Sequence, residues 1–448
     1  MKTLIFFLSL FFSMNVFSSQ ARILSLGADE LDNEGSYYFD DERNIFLNAA
    51  NVNWYADMVI FEVGGEGLQL GINDTYVSED KTPKAQGGFL FKSGDFTWGA
   101  YLNNVSNTAV FLRVLASSTA LAANGVDLDL TKLNLIPKSM LLPGAANQID
   151  FFFGWGDELK WGANLLVYMD EDDTPGKAFD SKGAAVRFGV KADKWDAFAN
   201  ISLVNEVNKI DTAVINWGGI YVSEQVQHKF DGSLGVHVGG SYKFDSLRLY
   251  AYVKSFSWEQ SDDYDYATDP LDLRFDHGIP AGTYPAITGG QTGTVSGSLN
   301  IFKVGIGDAI KKDSRTTFYW DIFARYYDVE VAFTKAATVK AFELPLVFAA
   351  ESAATDWLTI RGSILHKLVG FAENDNYESL NPVAQALAVN LFGGDNKGNS
   401  SSLPNPTSVR VGSSLVFGDL RVDGLLGANG ALIDFSEFFY RAAIVYDW

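Results

Sequence analysis

Apolar and polar residues alternate with a period of two through most of the 448-residue chain. In the segment TTFYWDIFARYY (316–327), every even position from Phe318 to Tyr326 is apolar, whereas Asp321 and Arg325 occupy odd positions. The last residues, EFFYRAAIVYDW, alternate in the same way. Successive side chains of a β-strand point to opposite faces, so each such segment predicts a strand with one apolar and one polar face.

Seven pairs of these segments are joined by short runs of Asp, Gly, Ser or Lys, which predicts β-hairpins. The pairs lie at 87–102, 149–169, 184–203, 234–256, 300–327, 341–365 and 408–427. With a first strand near 55–64 and the terminal strand, the count is about 16, within a range of about 14 to 18, and both termini lie on the periplasmic side. The connections between hairpins, at 205–231, 259–295 and 370–407, are long and polar. Short periplasmic turns and long extracellular loops are typical of an all-β, antiparallel transmembrane β-barrel.

The start of the chain predicts export. The sequence MKTLIFFLSLFFSMNVFSSQA has one lysine, an apolar run and small residues ending at Ala21, which is typical of a secretory signal peptide cleaved after Ala21. The prediction is therefore a cleaved segment 1–21, a periplasmic or lumenal segment 22–54, and a barrel 55–448. The chain has no cysteine, which fits bacterial export without disulfides.

The formal net charge of −21 excludes nucleic acid as a partner, because phosphates would be repelled. Much of the acid falls between hairpins, at Asp170 to Asp173 and Asp262 to Asp276. Clustered carboxylates suit Ca²⁺ or Mg²⁺ that bridges these loops to lipopolysaccharide phosphates, and the alternative is a solvated loop without metal. The predicted function requires no cofactor.

The signal sequence, the absent cysteines, the alternating connections and the closing aromatic strand resemble Gram-negative outer-membrane porins. The resemblance implies location in the bacterial cell outer membrane, and contacts with its lipid, with lipopolysaccharide and with the barrel-assembly machinery. It also implies a membrane-insertion signal in the last strand, formed here by Tyr440, Ile444, Tyr446 and Trp448. A second segment, DDERNIFLNAANVNWYADMVIFEVGG, is similar to the Asn-Pro-Ala region before the first strand of long-chain fatty-acid channels, with Asn48, Ala49 and Ala50 in those positions.

The phase of each strand predicts which side chains line the lumen. The predicted lining is mostly basic, with Asp321 among fewer acids: Lys160, Arg187, Lys191, Arg248, Lys254, Arg315, Asp321, Arg325, Arg361, Lys367, Arg410 and Arg441. A basic wall favours anions. The main prediction is a porin for passive diffusion of small hydrophilic solutes with a mild anion preference, and the alternative is a wet lumen whose charges have no selective role.

The connection 103–148 is long yet apolar, with helical spacing between Val110 and Leu121. An apolar loop avoids water, which predicts a constriction loop inside the barrel. Its charged candidates for the narrow zone are Arg113, Asp127, Asp129, Lys132 and Lys138. The alternatives are an additional hairpin or a contact within a homotrimer.

Other functions remain as alternatives. A hydrophobic-substrate channel of the fatty-acid type predicts a plugged lumen with an apolar pocket, and a structural or adhesive surface barrel predicts a closed lumen. The four histidines, at 228, 237, 277 and 366, stand in unrelated contexts, and the sequence has no nucleophile elbow or metal-protease motif. The prediction is that the protein is not an enzyme.

Overall fold

The computed structural model describes a β-barrel that encloses an N-terminal segment. The described residues are 19–28, 34–64, 84–104, 147–174, 177–217, 220–268, 288–332, 337–375, 399–400, 407–429 and 438–447. Residues 1–18 of the predicted signal peptide, the five constriction-loop candidates and Trp448 lie outside these ranges.

The wall consists of eighteen strand segments in chain order. The first nine are β1 (Met58–Gly64), β2 (Lys84–Ser93), β3 (Phe96–Leu102), β4 (Gln148–Trp155), β5 (Lys160–Thr174), β6 (Lys177–Lys191), β7 (Trp195–Trp217), β8 (Ile220–Gly232) and β9 (Gly235–Phe244). The others are β10 (Leu247–Thr268), β11 (Thr288–Lys311), β12 (Thr316–Ala332), β13 (Ala337–Ala353), β14 (Leu358–Asp375), β15 (Asn399–Ser400), β16 (Thr407–Phe417), β17 (Leu420–Asn429) and β18 (Phe438–Asp447).

These segments make a closed barrel of sixteen antiparallel strands. β8 and β9 are two parts of one strand, because each pairs with a different part of β7 and of β10. β15 and β16 likewise share β14 as their partner, so eighteen segments minus two gives sixteen. β1 pairs with both β2 and β18 and closes the sheet. The predicted fold class, strand count and seven hairpins are confirmed.

The outer face carries an apolar band next to the short turns. On β11, Phe302 and Val304 are 49% and 51% exposed, and on β14 Ile360 and Ile364 are 48% and 50% exposed. Side chains this apolar at this exposure are stable against acyl chains and not against water. The protein is therefore located in the bacterial outer membrane, with the band in the bilayer.

The alternation reverses farther from the short turns. On β11 the outward residues change from Phe302 and Val304 to Asn300 and Ser298, while the inward residues change from Lys303 to Leu299. The same reversal occurs on the neighbouring strands, and we call the part beyond it the outer extension: residues 170–174, 177–183, 205–217, 220–232, 256–268, 288–301, 328–332, 337–341 and 372–375. Its polar outer face indicates that this part of the wall projects from the membrane into water.

This extension corrects the predicted loop lengths. The segment 205–231 was expected to be a loop, but β7 and β8 run through it up to Trp217 and Ile220. The acidic runs are likewise strand, with Asp170 to Asp173 in β5 and Asp262 in β10. The prediction failed because it assumed an apolar outer face along the whole length of each strand. Where the outer face becomes polar and the inner face apolar, the strand was mistaken for a polar loop.

The reversal gives a matched pair of substitutions. We expect Phe302→Arg to reduce the amount of folded barrel in the outer membrane severely, since a lipid-facing arginine costs about 2–4 kcal/mol at mid-bilayer. Asn300→Arg, two residues away on the same face, should be tolerated. Heat-modifiable migration of membrane fractions on denaturing gels measures both variants, and equal loss in the two would contradict the boundary.

The lumen next to the short turns is filled by residues 19–28 and 34–57, which we call the plug. It contains one helix, α1 (Gln20–Ser25), and two 3-10 helices, Glu42–Ile45 and Ala49–Trp54. Every residue of α1 is buried. Among the described residues, no helix has the length and apolar character needed to cross a membrane.

Candidate functional site

Each short helix of the plug starts at a side-chain cap. Ser19 accepts a hydrogen bond from the backbone of Arg22 at 3.2 Å, Asp41 from that of Arg43 at 2.9 Å, and Asn48 from that of Ala50 at 3.0 Å. Such caps satisfy the first free N–H groups of a helix. They let a segment with few helix-forming residues fold into compact turns inside the barrel.

Glycines in the wall make room for the second 3-10 helix. A Cβ at Gly162 would overlap the backbone of Ala49, and one at Gly189 would overlap the side chain of Asn48. The Asn48 amide donates to Val190 O at 3.4 Å and to Ala197 O at 3.3 Å. The Asn-Ala-Ala segment is therefore fitted against β5, β6 and β7 by shape as well as by hydrogen bonds.

Arg22 anchors the plug in a buried ionic network. Its guanidinium donates to Asp41 at 2.6 Å and to Glu351 of the wall at 2.9 Å. Glu351 also accepts from Arg361, which contacts Asp423 at 3.3 Å. Removing one member of such a buried network leaves an uncompensated charge and costs roughly 3–5 kcal/mol.

The start of α1 is bound to strands on both sides of the β1–β18 pairing. Ser19 Oγ donates to Asp423 of β17 at 2.9 Å, and Gln20 N donates to Glu62 of β1 at 2.5 Å. Glu62 also lies 3.6 Å from Arg43. The predicted cleavage after Ala21 would remove Ser19 and Gln20 and these two hydrogen bonds with them.

Asp40 holds the opposite side of the plug. Lys191 donates to it at 2.9 Å, and Arg248 contacts it at 3.3 Å. Burial acts to raise the pKa of the Asp40 carboxyl, but these two cations outweigh it and hold the pKa well below its usual range. As the pH falls, the ion pairs of Asp40 therefore persist until the pH reaches the lowered pKa of its carboxyl.

An aromatic clamp holds Tyr37. Its ring stacks between Tyr250, with centroids 5.1 Å apart, and Tyr252, with centroids 5.0 Å apart. The Tyr37 hydroxyl lies 3.2 Å from His237 Nε2, and the Lys303 ammonium lies 5.1 Å from the ring centroid. Stacked rings and a cation over a ring each contribute about 0.5–1.5 kcal/mol.

The outer extension has a different lining, which we call the distal interior. Its members are apolar side chains that each expose 4% or less: Val207, Val226, Phe230, Trp258, Val295, Leu299, Ile301, Val329, Val331, Ala337, Val339, Ala341 and Ala372. A wall of this kind disfavours hydrated ions and favours apolar molecules. The lumen thus has an ionic, plug-filled part and an apolar part in series.

Most of the predicted lining residues point into the lumen. Arg187, Arg248, Lys254, Asp321, Arg325, Arg361 and Arg410 are buried there, and Lys160, Lys191 and Lys367 are partly buried. Arg315 is misplaced in the prediction, because it lies in the short turn after β11 and contacts Asp356 at 3.0 Å. The side chain of Arg441 lies outside the described part.

The basic wall is neutralised by acids of the wall, among them Glu343, which the strand phase predicts to face inward, and by acids of the plug. Arg187 pairs with Asp150, Arg325 and Lys367 with Glu343, and Lys254 with Glu34 of the plug. The plug carboxylates Glu34, Asp40, Asp41 and Glu42 were missed because their segment has no strand phase. Their role could have been predicted from the acidic run before the first strand, because the barrel has many inward basic residues that need partners.

Other predicted positions are only partly described. Ile444 and Tyr446 of the predicted insertion signal are each 46% exposed on the outer face of β18, and the Tyr440 side chain lies outside the description. No group of three or more His, Asp or Glu residues in the described ranges is arranged to hold a metal ion. The Ca²⁺ or Mg²⁺ site, the homotrimer and the lipopolysaccharide contact remain predictions.

Glu42 gives the plug a pH dependence. Its carboxyl is 2% exposed, has no hydrogen bond within the described residues, and lies 3.9 Å from Arg421. Burial raises the pKa of Glu42 well above its usual range, with Arg421 as a weaker opposing charge. The raised pKa of Glu42 means that the protonated carboxyl favours the seated plug. This stabilisation is complete below the unfolded-state pKa of about 4.3 and is lost as the pH rises through the folded-state pKa.

We therefore expect Glu42→Gln to stabilise the seated plug at neutral and alkaline pH and to leave it unchanged at acidic pH. Amide protection of residues 34–54 should rise at least about tenfold, because an ionised carboxyl buried without a hydrogen bond carries a large desolvation penalty. Hydrogen exchange, corrected for the intrinsic rate at each pH, measures this. Asp40→Asn is the control and should weaken protection, while an unchanged pH profile in Glu42→Gln would contradict the assignment.

Comparison with known proteins gives only distant structural similarities. No protein-family model matches the chain, and a search of curated proteins finds no match either. A Pseudomonas aeruginosa FadL homologue is similar over 92% of this chain and 96% of its own, with 10% identity and a TM-score of 0.43. The CymD monoaromatic hydrocarbon channel is similar over 95% and 98%, with 10% identity and a TM-score of 0.39. The Ralstonia pickettii toluene transporter TbuX is similar over 95% and 98%, with 13% identity and a TM-score of 0.35.

Likenesses this distant carry no conclusion about this chain. The predicted resemblance to an outer-membrane β-barrel is confirmed by the closed barrel and its apolar band. The narrower resemblance to porins stays a prediction. What passes through the protein has to be argued from its lumen.

Proposed function

We propose that the protein is an outer-membrane channel for small hydrophobic molecules, rather than a porin for hydrophilic solutes. The observation that carries this proposal is the reversal of alternation along the wall, which gives the outer extension an apolar interior above the bilayer. A hydrophobic molecule gains about 25 cal/mol for each Å² of apolar surface that it removes from water there. A hydrated ion gains nothing and loses part of its hydration shell.

The plug supports the same function. It fills the lumen between the distal interior and the periplasmic mouth, and it is held by the Arg22 network, the Asp40 ion pairs and the Tyr37 clamp. Bound molecules would therefore pass only when the plug shifts or when the wall offers another exit. Free diffusion of hydrophilic solutes requires a continuous aqueous path, and a seated plug interrupts such a path.

The proposal is tested by comparing two fluxes through purified protein. In liposomes with a lipopolysaccharide outer leaflet, the protein should accelerate entry of naphthalene several-fold over protein-free liposomes. In planar bilayers the same preparation should show little steady ion conductance. A large ohmic conductance without faster naphthalene entry would overturn the proposal and restore the porin hypothesis.

A further inference from the structure

Within the described part of the outer extension, a buried polar cluster on β8 and β10 lies beside the apolar lining. His228 Nδ1 lies 2.6 Å from Asp262 Oδ1, and Gln260 Nε2 donates to the same oxygen at 2.8 Å. His228 is 0% exposed, and Asp262 and Gln260 are each 1% exposed. Three adjacent polar side chains are unusual in an apolar lining, because burial of polar groups is costly unless their hydrogen bonds are satisfied.

The second nitrogen of His228 is not satisfied. A carboxylate can only accept, so the proton in the contact with Asp262 belongs to Nδ1, and in the uncharged form of the ring Nε2 then presents a lone pair. Nε2 is buried and has no hydrogen-bond partner among the described residues. Leaving a buried acceptor unpaired carries a desolvation penalty, and a bound donor would remove that penalty.

Apolar side chains flank this acceptor along β8. Val226 and Phe230 precede and follow His228 on the inward row of β8 and are 0% and 2% exposed. The partner of His228 in the β7 register is Lys209, whose ammonium lies 3.0 Å from Asp211. A ligand here therefore meets apolar side chains and a hydrogen-bond acceptor on β8, beside a lysine whose charge is balanced by Asp211.

The charges nearby favour a neutral donor over an anion. Asp262 is buried beside the His228 ring, so the charge of a bound carboxylate would be repelled at short range. Glu259, Asp263 and Asp265 on the outer face of β10 are exposed and add to the negative field around the cluster. A hydroxyl group supplies the missing proton without adding negative charge.

We propose that the distal interior binds hydrophobic molecules that carry a single hydroxyl group, and that this hydroxyl donates to His228 Nε2. This inference rests on the proposed function and narrows its substrate class from hydrocarbons in general to hydrophobic alcohols and phenols. Val226, Phe230 and their neighbours enclose the apolar body, and the His228–Asp262 pair fixes the orientation of the hydroxyl.

The test compares two probes that differ only in the hydroxyl proton, 2-naphthol and its methyl ether. Binding to the full-length protein in detergent is followed by naphthalene fluorescence and corrected for partition of each probe into the micelle. We expect 2-naphthol to bind about tenfold more tightly, which corresponds to about 1.4 kcal/mol. Equal affinities in the wild-type protein overturn the inference without reference to any variant.

Two substitutions locate the preference. His228→Asn retains an amide that can donate to Asp262 but has no atom at the position of Nε2, so the affinity ratio should fall to about one. His366→Asn makes the same substitution at an exposed histidine on the outer face of β14, away from the distal interior, and should retain the ratio. A ratio that survives in His228→Asn overturns the assignment to His228.

Failure of the inference is distinguishable from failure of the proposed function. Binding of naphthalene, 2-naphthol and the ether with similar affinity leaves a hydrophobic channel without hydroxyl selection. Binding of none of the three contradicts both. Tighter binding of 2-naphthoate than of 2-naphthol would also overturn the inference, since it would require a protonated ring that donates to an anion.

Discussion

Deletion of residues 34–54 is expected to convert the protein from a nearly non-conducting barrel into a large pore in planar bilayers. These residues carry Asp40, Asp41, Arg43 and the Asn48 segment, and they fill the lumen next to the short turns. A sixteen-strand barrel without this filling is wide enough for an aqueous channel, so conductance should increase at least about tenfold.

Point substitutions separate removal of the plug from damage to the barrel. Gly162→Phe should reproduce part of the increase, because the new side chain occupies the space of Ala49. Gly424→Phe is the matched control, since a Cβ there meets no atom within 4 Å. If the deletion variant folds and conducts no better than the wild type, the described plug is not what closes the lumen.

Leu299→Asp is expected to abolish most of the accelerated entry of naphthalene. Leu299 is 0% exposed in the distal interior, and a carboxylate there brings water into an apolar lining and removes the favourable transfer of the ligand. Entry should fall roughly tenfold, because a loss of about 1.4 kcal/mol in binding changes occupancy by that factor.

Ser298→Asp is the control for this substitution. Ser298 is the preceding residue on β11 and belongs to the polar outward row, so the same charge is placed on the solvent side of the extension. Its entry rate should equal that of the wild type. Equal loss in both variants would mean that the added charge acts on stability or assembly rather than on the lumen.

The barrel could be predicted from the sequence because its main signals are local. The period of two, the short turns and the apolar outward row of β12 follow from neighbouring residues, and they gave the strand count and the location. The lining of that strand was read correctly as well, with Asp321 and Arg325 both inward and buried.

The content of the lumen could not be predicted in the same way. Glu351 and Arg22 are 329 positions apart in the chain, and only the closed barrel brings them together. Asp150 and Asp423 lie on predicted strands, yet their partners Arg187 and Arg361 are on other hairpins. A count of inward charges by strand phase therefore gave a basic wall, whereas pairing across the lumen gives a nearly neutral one.

The change of polarity along β11 was present in the sequence but was read as a loop. Thr294, Ser296 and Ser298 alternate with Val295 and Leu299, which is an amphipathic strand whose apolar face is inside. Periodicity defines the two faces of a strand but does not say which face contacts lipid. The boundary at Phe302 could therefore be located only from the burial of side chains in the structure.

The attachment of the plug to both Glu62 and Arg421 has a consequence for biogenesis. Arg43 lies 3.6 Å from Glu62, and Glu42 lies 3.9 Å from Arg421. Glu62 belongs to β1 and Arg421 to β17, on either side of β18, whose pairing with β1 closes the sheet. Once the barrel is closed, the N-terminal segment can no longer reach these residues of β1 and β17 through the wall. We therefore expect the plug to be enclosed while the sheet is still open. Insertion of the barrel into the membrane and packing of the plug would then be completed in one cooperative step.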